Sequence, residues 1–497
     1  MFKPVERNQK CILPPVLSDL IPDDDLVYII IDAIDTIDTT SIECKYDTLG
    51  QKSYHPKMMI GIFFYAYSQG VFSSRKIEKL LRYDVRFMYL AGMHRPSFNR
   101  LCEFKRNNYE QFQDCFLQIV RFCTEMGFAP LASISIDGSK IAASASDKQI
   151  RDRQAVTEEL KEIKDQIKSI LDHAQDIDDA EDASELADLN NYHLQQLESR
   201  KQRLEEANAI LEANENQKRI NFTDLECREQ KYIGSGYNVQ IAVDSKHQII
   251  VAADVVSDPS DNQQLLPMVE QTERNTDTEG LTKKIIADSG YASGHNYQRL
   301  YQERPYLDVY VPTKDFAHQG DRTKPLFDKS NFDFDAVGET CICPLGHSMR
   351  LMKREMRHGI MTLRFKGQVC PSCPAKFLCT VSNYRQLRMS VADPIIAGMN
   401  RKMATPAGKQ ALKERRQTVE PVFGQIKNNL GFNQFLHRGI RKVKGEFALL
   451  CSAVNLKRLH YCLSIKSMAE ALCRASANMI DFLLNPRISE NSVKNYA

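Results

Sequence analysis

The chain has 497 residues, 42% hydrophobic and 26% charged, with a formal net charge of +2. This is the balance of a soluble globular protein, and the length accommodates two to four domains, each with its own core. The longest aromatic-aliphatic run, MMIGIFFYAY (58–67), is far short of the roughly 20 residues that span a bilayer. The first residues, MFKPVERNQK, form no apolar leader, so a cytoplasmic location with no membrane partner is expected. The fourteen cysteines are then expected as thiols or metal ligands rather than disulfides.

In chain order, residues from about 14 to 125 read as helices, with Ser73 and Ser74 as an N-cap and Gly92 as a stop. Short helices broken by Gly and Pro suit a helix-turn-helix type of module. Between Arg75 and Arg106 there are nine basic residues to three acidic. That excess fits a DNA-binding face or a solvated helical surface equally well. The stretch LASISIDGSKIAA then alternates as a strand entering a turn at Asp137–Gly138. GYNVQIAVDSKHQIIVAADVVS reads as a hairpin turning at 244–247. A helix (DNQQLLPMVEQTER), a buried strand (KKIIADSGYAS), a further helix and a strand (LDVYVPTK) follow. This order predicts an α/β domain with a mixed sheet.

Two segments interrupt that domain. Residues 151–220 carry one stripe of Val156, Leu160, Ile163, Ile167 and Ile170 and another of Leu197, Leu204 and Leu211. The stripes predict an antiparallel helical hairpin with a thin apolar seam, serving packing or dimerisation. Between them, Asp172–Asp188 holds eight acidic residues and no Lys or Arg. The second interruption, 316–395, is rich in Cys, Arg and Met. From Arg401 to Arg458 thirteen basic residues face only Glu414, Glu420 and Glu446, a block able to neutralise phosphates.

Asp137 and Asp288 each follow a predicted strand, where α/β sheets expose ligand groups on a rigid scaffold. Two Asp so placed, with a Glu from a later helix, suit Mg²⁺, which prefers carboxylate oxygens and keeps positions for water and phosphate. Asp-Gly and Asp-Ser-Gly are also ordinary turn chemistry. Asp244, Asp254, Asp258 and Asp261 compete for the same role, and composition does not choose between them.

The stretches SISIDGSKI, IIADSGY and R-x3-E-P-V-F-G-x2-K resemble the three acidic motifs of DDE transposases from bacterial insertion sequences. The branch resembled has a long helical N-terminal domain, and 54–92 and 236–265 are similar to it as well. The resemblance implies an RNase H-like catalytic fold, two Mg²⁺ ions (with Mn²⁺ as a substitute) and DNA strand transfer. It implies Asp137, Asp288 and Glu420 as the metal ligands. Of the family's Tyr-Arg-Glu-Lys signature, Arg416, Glu420 and Lys427 fit, while Lys413 stands where the family has tyrosine. At about 100° per residue Arg416, Glu420 and Lys427 share one helical face. Pro421 requires that the helix kink there or begin near Glu420. Ala142–Ala145 and the segment RPSFNRLCEFKRN also depart from the family pattern, without touching a proposed ligand.

Cys343, Cys370, Cys373 and Cys379 have the spacing of a structural zinc site, with Cys341 or His347 as substitutes; free thiols without metal are the alternative. Related transposases have a similar cluster.

The expected architecture is therefore α/β. A helical DNA-binding domain (1–130) precedes an RNase H-like mixed-sheet catalytic domain (131–150, 221–315 and 396–460). A helical-hairpin insertion (151–220), a small Cys-rich zinc-binding insertion (316–395) and a tail (461–497) complete it. The expected function is that of a transposase, associated with the nucleoid in a bacterial cytoplasm. It would bind the terminal inverted repeats of its element through residues such as Arg75 and Lys76. It would grip phosphates through Lys413, Arg416 and Lys427, and transfer strands to target DNA as a homodimer. An RNase H-like nuclease without strand transfer and a silent DNA-binding regulator are the alternatives.

Overall fold

The computed structural model describes residues 16–46, 53–177, 184–214, 217–276, 283–314, 316, 325–357 and 360–484, with side chains 172–191 and those from 468 onward outside the description. The acidic side chains of Asp172–Asp188 therefore lie outside the described residues. No described helix is long and apolar enough to cross a membrane.

Among the described residues the fold opens with α1 (Leu26–Thr36), α2 (Thr40–Glu43), α3 (Pro56–Ser68), α4 (Ser74–Tyr83), α5 (Val85–Leu90), α6 (Phe98–Asn107) and α7 (Tyr109–Glu125). The run MMIGIFFYAY lies in α3, whose residues from Met59 to Ser68 are all buried. A helix apolar on every side is a core helix, and this one begins with Pro56 in its first turn, where the missing N–H costs nothing. Ser73 does occupy the N-cap of α4, although its side chain makes no capping bond.

The central sheet contains β1 (Ser133–Ala142), β4 (Arg228–Gln230), β5 (Gly234–Asp244), β6 (Ile250–Val256), β7 (Lys284–Ala287) and β8 (Asp308–Tyr310), with the short pair β2 (Ile150–Asp152) and β3 (Arg219–Asn221) beside it. β5 is antiparallel to β1, β4 and β6, whereas β7 runs parallel to β1 and β8 parallel to β7. The hairpin β5–β6 turns where expected, with Asp244 accepting from the amides of Lys246 and His247. Helices α10 (Leu265–Thr276) and α11 (Gly294–Glu303) connect the later strands. The result is a mixed α/β sheet consistent with the expected RNase H-like fold, joined to a helical N-terminal region.

The expected turn at Asp137–Gly138 is absent: β1 continues through both residues to Ala142. Glycine instead leaves room there for two neighbouring side chains. A Cβ on Gly138 would lie 2.5 Å from Gln240 Nε2 and 2.7 Å from Asp261 Oδ1.

The C-terminal helix (Ile440–Leu484) packs against α7, α3 and β6. Asn455 on it closes the edge of β6, accepting from Ile250 N at 2.8 Å and donating to Ile250 O at 2.7 Å. Gly445 brings the helix against α7 so closely that a Cβ would stand 2.3 Å from Tyr109 O. One apolar cluster consequently runs through the N-terminal helices, the sheet and the C-terminal helix.

Helices α8 (Arg153–Ile177) and α9 (Ser184–Ala213) pack on each other as the expected hairpin, inserted between β2 and β3. The residues of both stripes fall in its separate small core. The Cys-rich segment forms β9 (Asp333–Asp335), β10 (Thr340–Ile342) and a three-stranded sheet of β11 (Met349–Arg357), β12 (Ile360–Gly367) and β13 (Gln386–Ser390). It too has its own core, around Phe332, Cys341, Leu363 and Phe365.

Candidate active site

The parallel register of β1 and β7 runs to Ile136 opposite Ala287. Asp137 is the next residue of β1 and Asp288 the first beyond β7, so two distant acids become neighbours where β7 ends, in the middle of the sheet. Asp137 accepts from Gly138 N at 2.9 Å, and Asp288 caps a single 3₁₀ turn by accepting from Gly290 N at 2.8 Å. Burial pushes the Asp137 carboxyl up to about 6, and the negative Asp288 adds to this against the opposing pull of Arg415.

Glu420 is exposed on the helix Pro406–Gly424, and one arginine of that helix stands between it and Asp137. Arg415 links them: its guanidinium meets Asp137 Oδ2 at 2.9 Å and Glu420 Oε1 at 3.7 Å. This arginine was not singled out from the sequence, where the motif points to its neighbour Arg416. The helix neither starts near Glu420 nor stops at Pro421. It runs through the proline and widens into a π-turn over Gln425–Asn429. Pro421 has no N–H for the carbonyl of Gln417, four residues back. That carbonyl instead accepts from Gln248 Nε2 at 2.8 Å.

Asp261, one of the competing acids, also belongs here. Its Oδ1 accepts from Asn238 Nδ2 and Gln240 Nε2, both at 2.8 Å, and pairs with Lys140 Nζ at 3.3 Å. Its other oxygen would lie 3.3 Å from a Cβ on Gly290. Tyr291 donates to Gln240 Oε1. Burial holds its phenol far above the usual range, with Asp261, Asp137 and Asp288 adding to the effect. The sequence signal for Asp261 was its place after the hairpin, which it shared with Asp254 and Asp258.

The other candidates divide. Lys413 and Arg416 are exposed on the Glu420 helix. Lys427 is half-buried and donates to the Lys140 carbonyl at 2.8 Å, tying the π-turn to β1. Arg75 and Lys76 are exposed on α4, with the Arg75 guanidinium over the Phe98 ring at 5.1 Å.

Cys343, Cys370, Cys373 and Cys379 line one cavity of about 30 Å³ together with His347. The backbone amides of His347 and Arg385 point to Cys343 Sγ and Cys370 Sγ at 3.4 and 3.5 Å. Burial raises the Cys379 thiol, and the three neighbouring thiols raise it further. Cys341, the alternative ligand, is buried in the module's core instead.

Among the described residues, no three or more His, Cys, Asp or Glu side chains are already drawn together as a metal-holding set. The surroundings nevertheless fit cations at both places. Two acids on adjacent strands, one of them buried and destabilised by the other, call for positive charge, and Arg415 is the cation that now meets the buried one. The four cysteines line one cavity, and thiols are the donor type that zinc takes.

Residues 342–460 match the family model described as "Transposase DDE domain", and residues 15–107 match "Transposase domain (DUF772)". The first takes in Glu420, Arg415 and the four cysteines but not Asp137 or Asp288; the second takes in Arg75 and Lys76. No curated protein matches. Among solved structures, a piggyBac transposase synaptic complex with hairpin DNA is similar over 91% of this chain and 75% of that one, at 8% identity and a TM-score of 0.32. A likeness that slight carries no argument. Each match spans less than half of the chain, so two segments are similar to transposase domains, the later one to a DDE domain.

Proposed function

We propose that the chain binds the ends of its own mobile element, cleaves phosphodiester bonds there and joins the freed strands to target DNA. The observation that supports this reading is the approach of Asp137 and Asp288 just beyond the paired Ile136 and Ala287, with Arg415 between Asp137 and Glu420. Magnesium ions held by Asp137, Asp288 and Glu420, two in number and replaceable by manganese, would supply Lewis acidity for in-line displacement at phosphorus.

The chain's own residues do the rest. Asp137 and Asp288 hold their charge on rigid strands, so little reorganisation accompanies the reaction. Arg415 neutralises the carboxylates in the resting protein. Lys413 and Arg416 neutralise backbone phosphates beside the scissile bond, and Lys427 keeps the Glu420 segment against β1 while adding positive charge. Arg75 and Lys76 contact the terminal inverted repeats. Two ends must be handled together, so the working form is at least a homodimer, for which the α8–α9 hairpin is the candidate interface. Cys343, Cys370, Cys373 and Cys379 hold a structural zinc, since four protein ligands leave no open position for chemistry.

The test is a Mg²⁺-dependent assay on labelled DNA from the borders of the protein's own gene, with Glu420→Gln beside the wild type. Nicks at a defined end and joined products, both lost in the variant, are the expected result. Cutting without joining would replace this reading with that of a nuclease, and binding without cutting in either protein would replace it with that of a regulator.

A further inference from the structure

The three-stranded sheet of the Cys-rich module has two unlike faces. Met349, Leu363, Phe365, Leu387 and Met389 turn inward to its core. The alternate positions carry Arg350, Lys353, Arg364, Lys366 and Arg388, all exposed except the half-buried Lys366. The strand register sets these cations directly against one another. Arg350 faces Lys366, Lys353 faces Arg364, and Arg364 faces Arg388. A bulge between Leu351 and Lys353 brings Lys353 into this row.

Like charges directly opposite across a ladder destabilise it, and an ordinary solvated face intersperses the two signs. Here the acid in the row is Glu355, and it is already shared: Lys353, Arg357 and Arg388 lie 3.7, 3.1 and 3.1 Å from it. Lys366 stands over the Tyr384 ring at 4.1 Å. A ligand with closely spaced negative charges would relieve what the sheet cannot.

The row also leads somewhere. Thr362 and Ser390, the next same-face positions on β12 and β13, line a groove of about 710 Å³ with Arg357. The opposite wall holds Asn262, Ser293 and His295. Asn262 adjoins Asp261, and Ser293 opens α11 just beyond Asp288. The module is seated there directly, since a Cβ on Gly294 would lie 3.0 Å from Ile360 Cδ1.

We propose that this cationic face binds the sugar–phosphate backbone of duplex DNA and leads it along the groove to the carboxylates. This deepens the transposase reading and rests on it for the identity of the polyanion. The experiment is a salt titration of full-length protein binding to a fluorescent border duplex, without divalent ions. Each lost phosphate contact lowers the slope of log affinity against log salt by about 0.9. The variant Lys353→Gln/Arg364→Gln/Arg388→Gln is expected to flatten the slope by roughly 2–3 on that scale. Its thermal midpoint should hold or rise as the repulsion is relieved. Glu355→Gln should tighten binding at low salt, and the charge-keeping set Lys353→Arg/Arg364→Lys/Arg388→Lys should restore the wild-type slope.

An unchanged slope in the Gln variant, a loss that the charge-keeping set does not repair, or wild-type protein that binds no DNA would each overturn the proposal. The Mg²⁺ cleavage assay judges the transposase reading separately. Wild type that binds through this face but never cuts would refute that reading and leave the surface standing. Normal cleavage with an unchanged slope would do the reverse.

Discussion

Arg415 occupies the position a metal cation would be expected to contest. Its partner Asp137 is mostly buried, and a buried carboxylate without a counter-ion is costly. In metal-free protein, Arg415→Gln is expected to cost on the order of 2 kcal/mol, the scale of a hydrogen bond to a charged group. Added Mg²⁺ should then raise Tm more in the variant than in wild type; equal shifts would show that arginine and metal do not compete. Gly138→Ala should abolish cleavage while leaving the far-ultraviolet circular dichroism unchanged, because the new methyl displaces Gln240 and Asp261 rather than the strand. Activity near the wild-type level would show that this network has slack. At this scale the sequence was only partly legible. Asp-Gly has the same composition in a turn and in a strand crowded by a neighbour, and the crowding groups come from β5 and the loop after β6. Arg415 and Arg416 are adjacent, and only the docked helix decides which one reaches Asp137.

The Glu420 helix is held to the sheet by Glu414, which pairs with Lys284 at 2.6 Å and accepts from Ser133, at the starts of β7 and β1. Burial alone would raise the Glu414 carboxyl, but the bonds from Lys284 and Ser133 outweigh it and hold it below its ordinary 4.5. A depressed carboxylate stabilises the fold fully above its unfolded pKa and loses that contribution as pH falls through the folded value. Glu414→Gln should therefore cost about 1–2 kcal/mol at pH 7. The gap from wild type should close in urea melts as pH falls below the ordinary 4.5 and through the lowered folded value. A gap independent of pH would remove the charge from the explanation. The hairpin β5–β6 was legible from two β-rich runs joined at a turn tetrad, and the strand leading to Asp288 from its short apolar run. The path through Pro421 was not, because Gln248, which satisfies the stranded carbonyl, comes from a different element.

Across the whole molecule, the helical region and the sheet are bound by one core that the C-terminal helix closes. Phe447→Ala, at a site 1% exposed, should cost about 3–5 kcal/mol. It should lower the stability of both regions in a single transition. Separate transitions for α3 and the sheet, followed by hydrogen exchange, would contradict a shared core. Leu204→Ala, in the hairpin's own cluster, should loosen α8 and α9 and leave the sheet's protection intact. The helices, the hairpin insertion and the Cys-rich module could be read from periodicity and composition. Their joining could not, since Asn455, Gly445 and Phe447 look like ordinary helix residues until α7 and β6 are set against them.

The central claim is that Asp137, Asp288 and Glu420, from two strands and a helix, act as one site on DNA. It is tested most directly by Mg²⁺-dependent cleavage of the border duplex by Asp137→Asn, Asp288→Asn and Glu420→Gln, with binding measured in parallel. The account predicts that each single change abolishes cleavage while binding persists. Cleavage surviving in any one of the three would contradict it.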